Sequence, residues 1–249
     1  MIRSALACAA ASLLAAAAFA SDRAEPALAS AVVASVSPSV DPLLRRLHTA
    51  APALDRDVLA MALDARACAL RSGAIAQAPR LAVIDYSRPS TEPRLWVFDL
   101  ERERLLYAEY VAHGRGSGEN FATAFSNRDG SYQSSLGLFA TAETYVGGNG
   151  YSLRMDGLEP GFNDRARDRA IVIHGAPYVN PSQALVQGRL GRSHGCPALR
   201  PAVAQPLIDT LKDGQLVFAY YPDRDWLARS RFLRCGQSAN ATPAIRGMR

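Results

Sequence analysis

A cysteine and a histidine in this sequence have the neighbours that acyl-transfer chemistry requires. Residues 170–173, Ala-Ile-Val-Ile, predict a short buried strand that runs directly into His174 and Gly175. Residues 193–197 read Ser-His-Gly-Cys-Pro and contain Cys196. A thiol nucleophile needs a base to form thiolate, and an imidazole at the end of a buried strand is held rigidly enough to act as that base. The pair therefore predicts nucleophilic catalysis by Cys196 with His174 as base.

The backbone beside Cys196 can stabilise the charge that develops during such a reaction. Gly195 has no side chain, so a substrate carbonyl can approach closely and consecutive N–H groups can converge on its oxygen. Pro197 has no N–H, so we expect the donors to come from residues 194–196. We also expect His174 to hold the pKa of the thiol below its free value of about 8.5.

The order of these residues is similar to the signature of a known family. His-Gly, a loop and then Ser-His-Gly-Cys resemble the L,D-transpeptidase catalytic domain, the YkuD-like family. The resemblance covers residues 79–222 and includes further stretches at residues 94–100, 135–139, 157–161 and 195–199. Ala198 is a departure, because many relatives have Arg or Asn two residues after the cysteine.

The resemblance implies a fold and a set of site residues. The fold is mainly β with helical additions, a YkuD-like β-sandwich with a capping loop at residues 144–169. Cys196 is implied as nucleophile, His174 as base, and the backbone carbonyl of Gly175 as the group that orients the imidazole. His194 is implied on the oxyanion side, next to Ser193 and Gly195 of the motif. Tyr151 is expected on the wall of the cleft, with Arg192 and Gly137 as further substrate contacts.

The reaction that the resemblance implies is acyl transfer on peptidoglycan stem peptides. The thiolate attacks the carbonyl between the L-centre of a diamino acid and the terminal D-alanine, which leaves, and an amine of a second stem resolves the thioester into a 3–3 cross-link. Water as acceptor makes the enzyme an L,D-carboxypeptidase instead. A different alternative is a zinc-dependent hydrolase in which His174, His194 and Cys196 bind the metal. We expect the cysteine mechanism, which needs no metal or other cofactor.

The predicted site depends on a strand-rich domain that follows a helical segment. Alternating apolar residues predict strands at residues 81–86, 94–100, 105–112, 136–142 and 216–221. Apolar spacings of three and four predict an earlier helix, capped by Asp57, that carries Cys68 on its apolar side. The predicted organisation is a signal peptide (1–20), a flexible leader (21–40), a helical prefix (41–78), the catalytic domain (79–222) and a tail (223–249).

Composition excludes several other classes of protein. The 249 residues are 49% hydrophobic and 20% charged, which is typical of a globular chain and not of a disordered one. The net charge of +5 comes from arginines interleaved with acids, which is typical of a solvated surface. We therefore expect no nucleic-acid partner, and we expect a monomer.

The first twenty residues have the pattern of a signal peptide. Arg3 precedes an apolar run at residues 5–19, and Ala-Phe-Ala at residues 18–20 matches a cleavage site. The run of about 15 residues is shorter than the roughly 20 that a membrane span needs. We therefore expect no retained membrane span and an exported protein in the periplasm or cell-wall space.

Removing residues 1–20 leaves three cysteines, Cys68, Cys196 and Cys235. An odd number in an oxidising compartment leaves at least one free thiol. The tail has apolar residues at 226, 227, 232 and 233, and these predict that it packs on the prefix helix. We therefore predict a Cys68–Cys235 disulfide with Cys196 free; two separate thiols at 68 and 235 are the alternative.

Overall fold

The computed structural model describes residues 40–235 of the chain. The predicted signal peptide and residues 21–39 of the predicted leader lie outside the described residues, as do residues 236–249 of the predicted tail. Among the helices of the described part, none has the length and apolar character to cross a lipid bilayer.

Within residues 40–235, eight strands form a single mixed sheet. They are β1 (Arg80–Asp85), β2 (Leu95–Asp99), β3 (Arg104–Glu109), β4 (Gly137–Gly147), β5 (Gly150–Gly157), β6 (Val172–Gly175), β7 (Ala198–Leu199) and β8 (Leu216–Tyr220). Their order across the sheet is β3-β2-β1-β8-β4-β5-β6-β7. The β1–β8 and β6–β7 pairs are parallel, and the other pairs are antiparallel. The mainly β prediction is confirmed, and each predicted strand overlaps a strand of this sheet.

The same range contains five helices, α1 (Val40–Ala50), α2 (Arg56–Arg71), α3 (Pro181–Gln187), α4 (Pro201–Leu211) and α5 (Arg224–Arg229). Helix α2 confirms the predicted prefix helix, but its cap is Asp55 and not Asp57. The Oδ1 atom of Asp55 accepts the N–H of Asp57 at 2.8 Å and that of Val58 at 3.1 Å. These are two of the donors that the first turn of a helix leaves without partners, so the earlier aspartate is the better cap.

Helix α2 and the sheet share one hydrophobic core. Leu59 on α2 is buried in the same cluster as Ala82 and Ile84 on β1 and Phe218 on β8. Burying a leucine or phenylalanine side chain stabilises a fold by about 1.5–3 kcal/mol. The prefix helix therefore contributes to the stability of the two central strands.

Cys68 on α2 and Cys235 form a disulfide, as predicted. Their Cα atoms lie 5.6 Å apart, and 167 positions separate them in the sequence. Cys196 is the one free cysteine of the described part of the chain. The bridge attaches the segment after α5 to the prefix helix and leaves Cys196 without a nearby competing thiol.

Removing this bridge is expected to lower the free energy of unfolding. Closing a loop of this length stabilises a fold by about 5 kcal/mol in the chain-entropy model, before native-state strain is subtracted. We expect the Cys68→Ser/Cys235→Ser variant to lose about 2–5 kcal/mol in urea unfolding at pH 7. The unaltered chain in excess reductant is the matched control and should unfold at the same urea concentration. Finding three titratable thiols in denaturant without reductant, on a chain that begins at residue 21, would contradict the bridge.

Candidate active site

One cavity of about 190 Å³ contains most of the predicted site residues. Its lining residues are His174 at the end of β6, Tyr178 in the loop that follows, Asn149 in the β4–β5 turn, and Arg192, Ser193, His194 and Cys196 in the segment before β7. Tyr178 and Asn149 are additions to the predicted set. Their positions, one between the two motifs and one in a glycine-rich turn, are the only signal of them in the sequence.

Sheet geometry explains why His174 lines this cavity. Successive residues of a strand point to opposite faces of a sheet. A Cβ atom on Gly175 would lie 2.9 Å from the Cβ of Ala204, so Gly175 faces α4 and permits its close packing on β6. His174 takes the opposite face and is paired on both sides, with Ser152 on β5 and Ala198 on β7.

The hydrogen bond of the His174 ring determines its tautomer. Nδ1 lies 3.0 Å from the carbonyl oxygen of Gly175. A carbonyl oxygen only accepts, so Nδ1 carries the proton and Nε2 has a free lone pair. Burial lowers the pKa of His174, and the opposite effect of the Gly175 carbonyl is smaller. The imidazole is therefore neutral at pH 7, with Nε2 able to accept a proton.

A tight turn presents Cys196 to the cavity. Gly195 has a φ of 130°, and a Cβ atom on it would lie 2.8 Å from Ile171 Cδ1 and 2.9 Å from the carbonyl oxygen of Gln133. The Ser193 hydroxyl donates to the carbonyl oxygen of Cys196 at 2.6 Å and accepts the N–H of Gly195 at 3.0 Å. Glycine is required at 195 both for its backbone conformation and for space.

These bonds correct one prediction about the oxyanion donors. The Gly195 N–H already donates to the Ser193 hydroxyl, so it is not free to donate a hydrogen bond to a substrate oxygen. Within residues 40–235, the N–H groups of His194 and Cys196 donate to no other residue. The available donors are therefore two of the three that we expected.

The thiol of Cys196 lies in a mostly buried position with two weak backbone partners. The residue is 8% exposed, and its Sγ lies 3.5 Å from both the carbonyl oxygen of Ala170 and the N–H of Val172. Burial raises the pKa of the thiol, and this effect exceeds the opposite effects of the Val172 N–H and the Arg169 guanidinium. The expectation of a lowered thiol pKa is therefore wrong for the resting site. A neutral thiol and a neutral imidazole share the cavity.

His194 and Arg192 lie at more exposed parts of the cavity. The His194 ring is 4.7 Å from that of Tyr132, and the guanidinium of Arg115 lies over the same tyrosine at 4.1 Å. Arg192 pairs with Glu119 at 2.7 Å. The imidazole is thus in tilted contact with the Tyr132 ring, and Arg192 keeps a carboxylate partner beside the cavity.

Tyr151 and Gly137 do not reach the cavity. Ser152 pairs with His174, so Tyr151 lies on the opposite face of the sheet, where its hydroxyl donates to Asp209 on α4 at 2.7 Å. Gly137 begins β4, and a Cβ atom there would lie 2.6 Å from Glu159 Oε1. Its lack of a side chain serves this internal packing, so the expectation that these two residues contact substrate is corrected.

His174, His194 and Cys196 do not form a metal-ligand set. In the part of the chain described, no three His, Cys, Asp or Glu side chains are grouped in a way that could hold a metal ion. The three residues of the zinc alternative therefore line one cavity, but they do not converge on a point as the ligands of one metal ion must.

Comparisons with known proteins identify the family of this chain. The family model of the L,D-transpeptidase catalytic domain, YkuD_2, matches residues 50–220, which begins within the predicted prefix. No curated protein matches the chain. Similar solved structures include an L,D-transpeptidase from Mycobacterium smegmatis, at 14% identity over 58% of this chain and 59% of that one, with a TM-score of 0.37. L,D-transpeptidase 3 from Mycobacterium tuberculosis shares 13% identity, with coverages of 57% and 61% and a TM-score of 0.36.

A third similar structure is the helical cell shape determining protein Pgp2 from Campylobacter jejuni, at 14% identity over 58% of this chain and 48% of that one, with a TM-score of 0.37. The matched region thus spans less than two thirds of each of these three chains. The family match itself covers more than half of the present chain. The chain therefore belongs to the L,D-transpeptidase catalytic domain family.

Proposed function

We propose that this chain is a cysteine-dependent acyl transferase that acts on peptidoglycan stem peptides. The observation that carries the proposal is one cavity that contains both the free thiol of Cys196 and a neutral imidazole, His174, with a fixed tautomer. The signal-peptide pattern of residues 1–20 supports export to the periplasm or cell-wall space, where this substrate lies.

Acylation begins with proton transfer from Cys196 to Nε2 of His174. The sulfur forms a bond to the carbonyl carbon between the L-centre of the diamino acid and the terminal D-alanine. The resulting imidazolium, whose Nδ1–H stays on the Gly175 carbonyl, then donates its proton to the leaving amine. The C–N bond breaks, D-alanine leaves, and a thioester remains on Cys196.

The negative charge on the substrate oxygen requires donors that are held in place. The N–H groups of His194 and Cys196 are available. The Ser193 hydroxyl fixes the turn that carries them, because it accepts the N–H of Gly195 and donates to the carbonyl oxygen of Cys196. Ser134 adds a second support, because its hydroxyl donates to the Gly195 carbonyl at 3.0 Å. This turn is therefore fixed before substrate binds.

Arg192, Tyr178 and Asn149 supply the polar surface on which a stem peptide can bind. Ala198 occupies the position at which many relatives have Arg or Asn, and it is buried in β7 beside His174. A carboxylate of the stem needs another cation here, and Arg192 lines the cavity. Its Nη1 is bonded to Glu119 and to the Gly118 carbonyl, and within residues 40–235 its Nε and Nη2 donate to no other residue, so these two atoms can bind the carboxylate by two hydrogen bonds. Arg192 is therefore proposed as the carboxylate-binding residue.

Deacylation reverses the proton transfers. The amine of a second stem loses a proton to Nε2 of His174 and attacks the thioester, the C–S bond breaks, and the thiol is regenerated with the proton from His174. The product is a 3–3 cross-link. Water in place of the amine gives a tripeptide, which is the carboxypeptidase alternative.

The test is incubation of the chain from residue 21 onward with a defined disaccharide-tetrapeptide, followed by mass spectrometry. We expect cross-linked dimers and released D-alanine, no product with Cys196→Ala, and no effect of EDTA. Tripeptide without dimers would establish the carboxypeptidase alternative. Activity lost on chelation and restored by zinc would overturn the cysteine mechanism.

A further inference from the structure

Arg169 lies in the loop between β5 and β6, beside Gly195 in the turn that carries Cys196, and the reaction described above makes no use of it. Its guanidinium donates four hydrogen bonds, to the carbonyl oxygens of Ser126 (2.6 Å) and Gln133 (2.7 Å) and to the hydroxyls of Ser135 (2.6 Å) and Ser131 (3.2 Å). All four acceptors are neutral. The side chain is therefore fixed, and its positive charge is not neutralised by any of the groups that hold it.

The position of this charge relates it to Cys196. Nη2 of Arg169 lies 3.6 Å from the point that a Cβ atom on Gly195 would occupy. The carbonyl oxygen of the next residue, Ala170, accepts a weak hydrogen bond from the thiol of Cys196. Ala170 has a φ of 52°, a left-handed conformation that is unfavourable for a residue with a Cβ atom. With this unfavourable backbone conformation, the Ala170 carbonyl and the preceding Arg169 both lie against the turn at residues 193–196 that carries Cys196.

Other charged and titratable groups near the thiol do not supply a comparable positive charge. His174 is neutral at pH 7, and burial raises the pKa of both Tyr178 and Tyr86 to about 12, so both are neutral as well. Arg192 is paired with Glu119. The charge of Asp129 raises the pKa of Arg169, and the charge of Arg165 lowers it.

We propose that Arg169 is a positioning residue whose fixed guanidinium stabilises the thiolate of Cys196 when the proton moves to His174. The inference rests on the proposed function only in taking Cys196 as the nucleophile. A thiolate that forms in a buried site loses hydration, and a fixed cation nearby replaces part of that stabilisation without having to reorganise. Burial lowers the pKa of Arg169, and the negative charges of Asp129 and of the Cys196 thiolate both oppose this effect.

The test measures the rate of iodoacetamide alkylation of Cys196 against pH. The chain begins at residue 21, and the Cys68–Cys235 disulfide is intact. An opposite charge nearby typically lowers a pKa by about 1–3 units, so we expect Arg169→Gln to raise the apparent thiol pKa by about one unit. Alkylation at pH 7 then becomes about tenfold slower. Arg169→Lys, which keeps the charge and loses most of the hydrogen bonds, should restore at least half of the shift.

Arg165→Gln is the matched control, because it removes the same charge from the same loop and should leave the titration unchanged. Circular dichroism establishes that each variant is folded at the temperature of the assay. An unchanged titration in Arg169→Gln would overturn the proposal. Equal shifts in Arg169→Gln and Arg169→Lys would also overturn it, because the hydrogen bonds and not the charge would then be responsible. Alkylation needs no stem peptide, so failure of the transpeptidase assay leaves this result separately readable.

Discussion

Replacement of Cys196 by alanine is expected to abolish acyl-enzyme formation and release of D-alanine. Within residues 40–235 no other thiol can substitute, because Cys68 and Cys235 are joined in a disulfide. Loss of a catalytic nucleophile removes the covalent route itself, so activity should fall to background. Intact-protein mass spectrometry after mixing with the disaccharide-tetrapeptide measures the acyl adduct directly.

The fold of this variant should survive, which makes the result interpretable. Within residues 40–235 the Sγ atom has two hydrogen-bond partners in other residues, both at 3.5 Å, and alanine retains the Cβ atom of the buried position. The supporting bonds of the turn come from Ser193 and Ser134 and are unaffected. An unchanged urea midpoint is the control. Persistence of the adduct in this variant would exclude Cys196 as the nucleophile.

The parts of the fold that could be predicted are those encoded by local periodicity. The apolar run at residues 170–173 predicts a buried strand, and β6 places His174 at its end. The apolar side of α2 and the apolar residues of the tail predict the contact that the Cys68–Cys235 disulfide holds. Each of these signals lies within a few residues of the feature that it predicts.

The errors concern hydrogen bonds, burial and strand register, which residue patterns do not specify. The hydrogen bond from the Gly195 N–H to the Ser193 hydroxyl depends on the shape of the turn, which no residue pattern specifies. The thiol pKa is raised because burial outweighs the N–H of Val172 and the charge of Arg169, a balance that spacing does not reveal. The expectation that Tyr151 lines the cleft comes from the resemblance, which places a capping loop at residues 144–169. The β5–β6 register, which pairs Ser152 with His174, places Tyr151 on the other face.

His174→Gln is expected to slow acylation by about 10²–10⁴-fold, the usual contribution of a positioned general base. Because burial holds the pKa of His174 below its usual value, the base is already deprotonated at neutral pH. The acylation rate of the unaltered chain should therefore rise with pH below about 6.5 and be level between pH 7 and 8. In His174→Gln the reaction depends on thiolate formed without a base. Its rate should rise about tenfold per pH unit up to the raised pKa of Cys196.

His194→Ala is the matched control for this experiment, since it removes an imidazole from the same cavity. Its ring makes a tilted contact with that of Tyr132, an aromatic pair that contributes about 0.5–1.5 kcal/mol, and the alanine variant keeps its backbone N–H. We therefore expect acylation to slow by at most about tenfold, with the level pH dependence retained. Single-turnover mass spectrometry from pH 5 to 9 measures both variants. If His194→Ala showed the larger loss and the steep pH dependence, His194 would be the base and the role assigned to His174 would be wrong.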